Sequence, residues 1–349
     1  MSAPRVLVTG GAGFIGSHVV DALLGDGFEV RILDSLIAHD AVPGHVPAAA
    51  ELIEGDVRHA ETVRRALRGV EHVSHQAGMV GLGVNFLDVA DYVDHNDTGT
   101  AVLLRELATA EVPGRLVLAS SMVVYGEGGY ACPEHGSVNP LPRAAEDLQA
   151  GEFEPRCPTC AHPLHAHAVT EDARLDPRNV YAATKVHQEH LTAAFQREVG
   201  TPVIALRYHN VYGPRMPRHT PYAGVAALFA DALAAGRPPL VFEDGAQLRD
   251  FVHVRDVARA NLLALRADAS VTGAFNVASG TPRSVGAMAE ALADAAGPRA
   301  PRPLTTGEYR LGDVRHVFAS AERAQRKLGF HSRECFAEGM IEFASARVQ

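Results

Sequence analysis

Val6-Leu-Val-Thr9-Gly10-Gly-Ala-Gly13-Phe14-Ile15-Gly16 opens as an apolar run and passes through glycines at three-residue spacing. It continues as a helical pattern to Leu24, with Ile15, Val19, Val20, Leu23 and Leu24 on one face. A strand that turns on glycines straight into a helix lets the backbone approach a pyrophosphate. The helix N-terminus then offers it unpaired N–H groups and a partial positive charge. Gly10, Gly13, Phe14, Ile15 and Gly16 are therefore the expected cradle of a dinucleotide. Asp34 lies 18 residues beyond Gly16, at the end of the second apolar run. A carboxylate there accepts hydrogen bonds from adenosine ribose hydroxyls and repels a 2′-phosphate, which favours NAD over NADP. Asp56 and Val57, after the third run, are expected at the adenine edge.

Outward from this stretch the pattern repeats. Val30–Leu33, Leu52–Ile53, His72–Ser74, Leu116–Leu118 and Val203–Leu206 read as further buried strands. Helical patterns run from about Thr98 to Ala110 and from Tyr181 to Glu198. Alternation of this kind predicts an α/β fold, a doubly wound parallel sheet of Rossmann type. Residues 1–207 form the expected dinucleotide domain, to which 250–277 returns. Residues 208–249 and 278–349, with helical patterns at Ala223–Ala235 and Val285–Ala296, form an expected smaller α/β substrate domain. Tyr130–Ala168 breaks the rhythm with Pro, Gly, His and Cys and reads as an inserted loop module.

Composition narrows the function classes. Hydrophobic residues at 47% and charged residues at 21% exclude a disordered or coiled-coil chain. A net charge of −9 disfavours a nucleic-acid or anionic-membrane surface. No apolar run approaches the roughly 20 residues of a membrane span. Met1-Ser-Ala-Pro-Arg5 leads directly into a strand with no room for a signal peptide, so a soluble, cytoplasmic protein is expected. Of 32 basic residues only Lys185 and Lys327 are lysines, so a position that keeps lysine invites a chemical reason.

Tyr181-Ala-Ala-Thr-Lys185 supplies one, because it sets a phenol and an ammonium one helical turn apart on a single face. A free tyrosine, with a pKa near 10, is a poor base at neutral pH, and a neighbouring ammonium is expected to stabilise its phenolate. The same lysine can hold the nicotinamide ribose.

With these motifs the chain resembles the extended short-chain dehydrogenase/reductases, in particular their nucleotide-sugar epimerases and dehydratases. Further matches are Ala119-Ser-Ser-Met-Val-Val-Tyr-Gly126, Leu206-Arg-Tyr-His-Asn-Val-Tyr-Gly-Pro214 and Leu248-Arg-Asp-Phe-Val-His-Val-Arg-Asp-Val257. Phe275-Asn-Val277 and Arg310-Leu-Gly-Asp313 complete the series. The resemblance implies Ser121, Tyr181 and Lys185 as the catalytic set. Ser121 would hydrogen-bond the sugar O4 beside Tyr181, which takes the hydroxyl proton while the C4 hydride goes to NAD. It places Ala77 and Tyr208 with the cofactor. It assigns Asn210, Arg249 and Arg310, oriented by Asp313, to the substrate diphosphate, and Phe242 to the base. Glu243 departs from the family's usual glycine, and His75-Gln76 from its usual apolar pair; these last two are expected to be only a satisfied strand-end polar pair. A homodimer built on the Thr98–Ala110 and Tyr181–Glu198 helices is implied as well.

Met122-Val123 stand where the 4,6-dehydratases carry an Asp-Glu pair, and neither side chain can move a proton. That leaves oxidation at C4 and hydride return, so the expected activity is nucleotide-sugar 4-epimerisation. A 4-ketoreductase, a dehydrogenase of an apolar alcohol and a non-catalytic NAD-binding scaffold are the alternatives.

The insert carries its own signal. Cys132-Pro-Glu-His135 and Cys157-Pro-Thr-Cys160 are two knuckles with the ligand spacing of a tetrahedral structural zinc. His162, His165 and His167 compete with His135 for the fourth position, and a Cys157–Cys160 disulfide is the alternative to metal. Five acids against two arginines over Tyr130–Thr170 argue against nucleic acid as its partner. From its place between Ser121 and Tyr181 the insert is expected to shape substrate entry or a dimer surface. Cys335 is expected to be an inert buried thiol.

Overall fold

The computed structural model describes residues 3–39, 41–81, 86–110, 112–217 and 224–346. Its centre is a sheet of seven parallel strands: β1 Arg5–Thr9, β2 Glu29–Asp34, β3 Glu51–Glu54, β4 His72–His75, β5 Leu116–Ser121, β6 Val203–Tyr208 and β7 Gly273–Val277. The order across it is β7-β6-β5-β4-β1-β2-β3, so the strand order reverses between β1 and β4, where such sheets open a crevice at the carboxyl ends of their strands. The α/β doubly wound reading of the sequence is the fold observed.

β1, β5 and β6 are buried almost throughout, because helices cover both faces and leave no solvent side to alternate with. On one face α1 (Phe14–Gly25) packs Val19, Val20 and Leu23 with Val257, Ala260 and Ala264 of the helix Val254–Arg266. On the other, Val63, Leu103, Leu107 and Phe195 join α2 (Ala60–Ala66), α3 (Gly99–Ala110) and α4 (Val180–Val199) to the sheet. A separate apolar cluster beyond β6 gathers Tyr212, Phe229, Phe251, Met288, Leu292 and Phe343. Helices Val225–Ala234 and Val285–Ala296 fall where the periodicity placed them, although Ala223 lies outside the described residues.

Two segments differ from the sequence reading. The insert is not irregular: Gly129–Cys132 pairs antiparallel with Gly136–Val138 and His165–His167, and a short helix spans Ala145–Gln149. Its apolar residues are too few and too scattered to show a period, yet Tyr130, Cys132, Cys157 and Leu164 converge on a small core. Ahead of α3, Val89–Tyr92 runs into a π-helical segment, Val93–Thr98, whose polar sequence hides it.

His75 is enclosed at the end of β4, with Nδ1 2.7 Å from Thr9 Oγ1 and Nε2 3.0 Å from Thr100 Oγ1. It is thus the satisfied polar residue expected. Burial pushes its pKa down to about 3, and burial brings His18, 3.0 Å from the Pro214 carbonyl, down to about 4. Both rings are neutral in the fold and protonate once it opens. The unfolded chain therefore binds more protons between pH 6.5 and 4, and each histidine removes roughly 1.4 kcal/mol of stability per pH unit there. The urea midpoint is expected to fall steadily from pH 7 to pH 5; a flat midpoint excludes this account.

Candidate active site

The glycine loop is sterically committed. Gly10 adopts φ +68, and a Cβ there would lie 2.7 Å from the Ala77 nitrogen, whose N–H donates to Thr9 Oγ1. A Cβ on Gly16 would stand 2.0 Å from the Gly10 carbonyl oxygen. Gly13 caps α1 without a side chain, Phe14 and Ile15 begin its first turn, and among the described residues no side chain makes a cap hydrogen bond there. Asp34 accepts from Ala12 N and Leu36 N, both at 2.9 Å, one on each carboxylate oxygen. It steadies the loop and keeps lone pairs for ribose hydroxyls. Asp56 lines a hollow with Ser35, Ile37, Glu54, Gly55 and His59 at the ends of β2 and β3, and the buried Val57 backs it. Burial pushes the Asp56 carboxyl up, but hydrogen bonds from Arg58 outweigh it and hold the pKa below the usual range. An uncapped helix end, a loop that only glycine fits and a carboxylate at the end of β2 are a donor set that suits NAD.

Tyr208 is an exception within the expected cofactor set. Its side chain turns into the protein, where the hydroxyl meets Gln76 Oε1 at 3.2 Å and Asn261 Oδ1 at 3.1 Å. Burial in a parallel strand fixes that direction, so its hydroxyl is spent inside the core.

Ser121 ends β5, and Tyr181 and Lys185 stand on the first turns of α4, which Asn179 caps by accepting from Ala182 N at 2.8 Å. Ser121 Oγ accepts from Val123 N at 3.4 Å, and the Ser121 side chain lies near enough to the Tyr181 phenol to favour its ionised form. Burial pushes Tyr181 up to about 12; Ser121 pulls it down, and Tyr92, with its ring 6.1 Å away, adds to the rise. That shift is opposite in sign to the sequence expectation. Lys185 Nζ lies 5.8 Å from the Tyr181 ring centre, donates to the Ala119 carbonyl at 2.9 Å, and is itself lowered by burial to about 8. It braces the end of β5 and does not offset the desolvation of the phenol.

Sequence reasoning missed Asn96. Fully buried in the π-helical segment, it accepts from Met79 N at 2.7 Å and donates to Met79 O and Thr184 Oγ1, both at 3.0 Å. It thereby ties the chain after β4 to the turn of α4 that separates Tyr181 from Lys185. An asparagine within a helical run was the only signal.

At the far end of the crevice Arg249 donates to the carbonyls of Leu248, Val314 and Arg315 at 2.7–2.8 Å. Burial lowers its pKa, and among the described residues no carboxylate forms a salt bridge with it. Glu127, Asp313 and Glu243 act on it only through their longer-range field, and a buried guanidinium bonded to carbonyls rather than to a carboxylate suits an incoming anion. Asn210 Oδ1 is buried with no hydrogen-bond partner among the described residues. The Arg310 guanidinium lies 5.1 Å over the Phe242 ring, and burial raises the Asp313 carboxyl, partly offset by Arg310 and Arg249. No Asp313–Arg310 salt bridge occurs among the described residues, so the expected orienting role reduces to a longer-range field. Glu243 is buried at φ +54, a left-handed conformation that glycine adopts at less cost.

In the insert Cys132, His135, Cys157 and Cys160 bring one ligand atom each within 4.8 Å of the others. Cys132 Sγ lies 3.4 Å from His135 Nδ1 and 3.6 Å from Cys160 Sγ, and Cys157 Sγ lies 3.6 Å from His135 Nδ1. The edges of a tetrahedron built on zinc–sulfur and zinc–nitrogen bonds are roughly 3.5–3.8 Å, so these three distances match the edges such a site would have. All four cysteines are free thiols. His162 pairs with Glu134 at 3.1 Å, while His165 and His167 are exposed on their strand. Cys335 departs from expectation: it is exposed at the start of the last helix, because the chain there leaves the core.

Comparison with known proteins places this geometry. Residues 6–158 and 157–278 match a family described as the NAD dependent epimerase/dehydratase family. The chain is 31% identical over 347 residues to dTDP-L-rhamnose 4-epimerase of Burkholderia thailandensis, covering 97% of this chain and 93% of that one. UDP-glucose 4-epimerase of Thermus thermophilus, solved in complex with NAD, superposes with a TM-score of 0.76 at 31% identity over 97% of both chains. The Thermotoga maritima UDP-glucose 4-epimerase, solved with UDP-glucose, gives 0.78 at 29% over 97% of both. Among the described residues no helix is long and apolar enough to cross a membrane. Matched through most of its length, from β1 to β7, the chain belongs to the NAD dependent epimerase/dehydratase family.

Proposed function

We propose that the protein is a nucleotide-sugar 4-epimerase that uses NAD and carries a structural zinc in its insert. The observation that carries the reading is the Tyr181 phenol beside the Ser121 side chain at the end of β5, with Met122 and Val123 in place of any second acid or base. Bound NAD would accept a hydride from C4 and return it to the opposite face. The chain's own residues do the rest. Gly10, Gly13 and Gly16 leave room for the pyrophosphate, and Asp34 takes the adenosine ribose. Tyr181 receives the O4 proton and later returns it, while Ser121 holds the hydroxyl in line. A phenol raised to about 12 lies closer to an alcohol than a free tyrosine does, so the proton moves between more nearly matched oxygens in either direction. Arg249, Arg310 and Asn210 take the diphosphate, and Phe242 takes the base.

The units that carry these tasks are 1–207 with the returning 250–277 for the dinucleotide, and 208–249 with 278–349 for the substrate. Cys132, His135, Cys157 and Cys160 hold the zinc, which orders a segment whose own core is small. The protein acts in the cytoplasm as a homodimer joined through α3 and α4, which light scattering tests.

Incubation with UDP-, dTDP- and GDP-sugars, followed by NMR of the products, is expected to show inversion at C4 with no net change in NADH absorbance. Stoichiometric consumption of NADH would instead establish a ketoreductase. Elemental analysis is expected to find about one zinc per chain, lost on Cys157→Ser. Metal-free native protein rules out the zinc.

A further inference from the structure

A buried charge network that the reaction does not use joins the insert to the loops assigned to the substrate nucleotide. Arg143 of the insert is nearly inaccessible and donates through Nη2 to Glu243 Oε1 and to the Asp313 carbonyl, both at 2.8 Å. Arg315, also buried, holds the other Glu243 oxygen at 2.8 Å, and pairs with Asp244 at 2.7 Å and with Glu154 of the insert at 2.8 Å. Glu154 reaches His316 as well, at 2.9 Å, and the Tyr130 hydroxyl accepts from His316 N at 3.0 Å. The insert therefore clasps two pieces of backbone, the turn at 242–244 and the segment 313–316. Phe242 and Arg310 adjoin those pieces, and Arg249 hangs from the carbonyls of Val314 and Arg315.

The clasp residues sit beside the knuckles. Tyr130 is two residues before Cys132, and Glu154 three before Cys157. Two of the four residues in the insert's buried core are themselves candidate ligands, so its order depends on the ion. Glu243 matters for the same reason. Its left-handed backbone is unfavourable for a residue with a side chain and persists because both carboxylate oxygens are held.

We propose that the metal-ordered insert is a positioning device for the nucleotide end of the substrate: through Tyr130, Arg143 and Glu154 it fixes Phe242, Arg249 and Arg310 in register for a nucleoside diphosphate. The proposal rests on the nucleotide-sugar and zinc readings above. It assigns the insert to the base and diphosphate, not to the sugar entrance expected from its place in the sequence.

The test compares the full-length protein before and after chelation, with metal content checked by elemental analysis. UDP and dTDP are titrated calorimetrically, and kcat and KM are measured on the accepted nucleotide sugar. Metal loss is expected to raise KM and the Kd for the accepted nucleotide about tenfold, to change kcat less than about threefold, and to leave bound NAD in place; added zinc reverses the change. Arg143→Met is expected to raise KM similarly with zinc still bound, and Arg143→Lys to recover part of it. Unchanged KM and Kd in the metal-free protein overturn the proposal. So does an Arg143→Met protein that loses kcat and NAD as far as it loses KM, since that is a general loss of structure. Metal-loaded protein that binds neither nucleotide sinks the nucleotide-sugar reading itself, whereas equal binding with and without metal sinks only the positioning role.

Discussion

Tyr181→Phe is expected to lower kcat roughly a thousandfold while leaving KM, bound NAD and thermal stability close to those of the native protein. The ring would keep its packing beside Tyr92, and only the phenol oxygen near Ser121 would go. General acid–base groups contribute about 10²–10⁴ in rate. Tyr181 belongs toward the upper part of that range, because Met122 and Val123 offer no substitute proton carrier. Ser121→Ala leaves the phenol in place and should cost less, about ten- to a hundredfold. The double variant should be no slower than Tyr181→Phe alone, because the two hydroxyls act as one unit. The pH profile supplies an independent check. With the Tyr181 pKa raised to about 12, the deprotonated fraction of the free protein grows throughout the accessible alkaline range, so kcat/KM should climb with pH across it. A Tyr181→Phe enzyme that keeps a tenth of the native kcat would remove the phenol from the mechanism.

The sign of that pKa shift marks where sequence reasoning stops. Tyr181 and Lys185 are four apart on a helix, so their shared face follows from local geometry alone. Which effect dominates depends on neighbours that are remote in sequence. Tyr92 comes from the segment before α3, and the Ala119 carbonyl that engages Lys185 comes from β5. Desolvation then exceeds any help from the ammonium. The glycine loop, Asp34 and the Cys/His knuckles were legible because each is a short-range constraint, with a strand entering a turn or four Cys/His side chains in two tight loops. The resemblance singled out Arg249, but nothing in the sequence marks its carbonyl partners, since Val314 and Arg315 lie more than sixty residues away. Tyr208 misled for a related reason. In a strand buried on both faces every side chain is apolar or satisfied internally, so the sequence carries no mark of which way the hydroxyl points. The clasp of Glu243 by Arg143 and Arg315 spans 100 and 72 positions, and no periodicity encodes a contact of that kind.

Gly16→Ala is expected to abolish dinucleotide binding, with an NAD Kd raised a hundredfold or more and activity lost in proportion. The added methyl would stand 2.0 Å from the Gly10 carbonyl oxygen and 2.8 Å from its carbon, distances that no rotamer can relieve because both partners are backbone. Either α1 swings away from β1 or the loop opens, and both movements take the helix N-terminus off the pyrophosphate it is meant to face. A shift of about 1 Å is enough, since binding there depends on N–H groups at hydrogen-bond distance. The control lies in the same helix. Gly25, the last residue of α1, has open space where a methyl would go, and alanine has the higher helix propensity, so Gly25→Ala should bind NAD normally and be neutral or slightly more stable. The contrast separates local crowding at the phosphate turn from any general effect of adding a methyl to α1. Native NAD affinity in Gly16→Ala would mean that the dinucleotide does not rest on this turn, and the assignment of Gly10, Gly13 and Asp34 would fall with it.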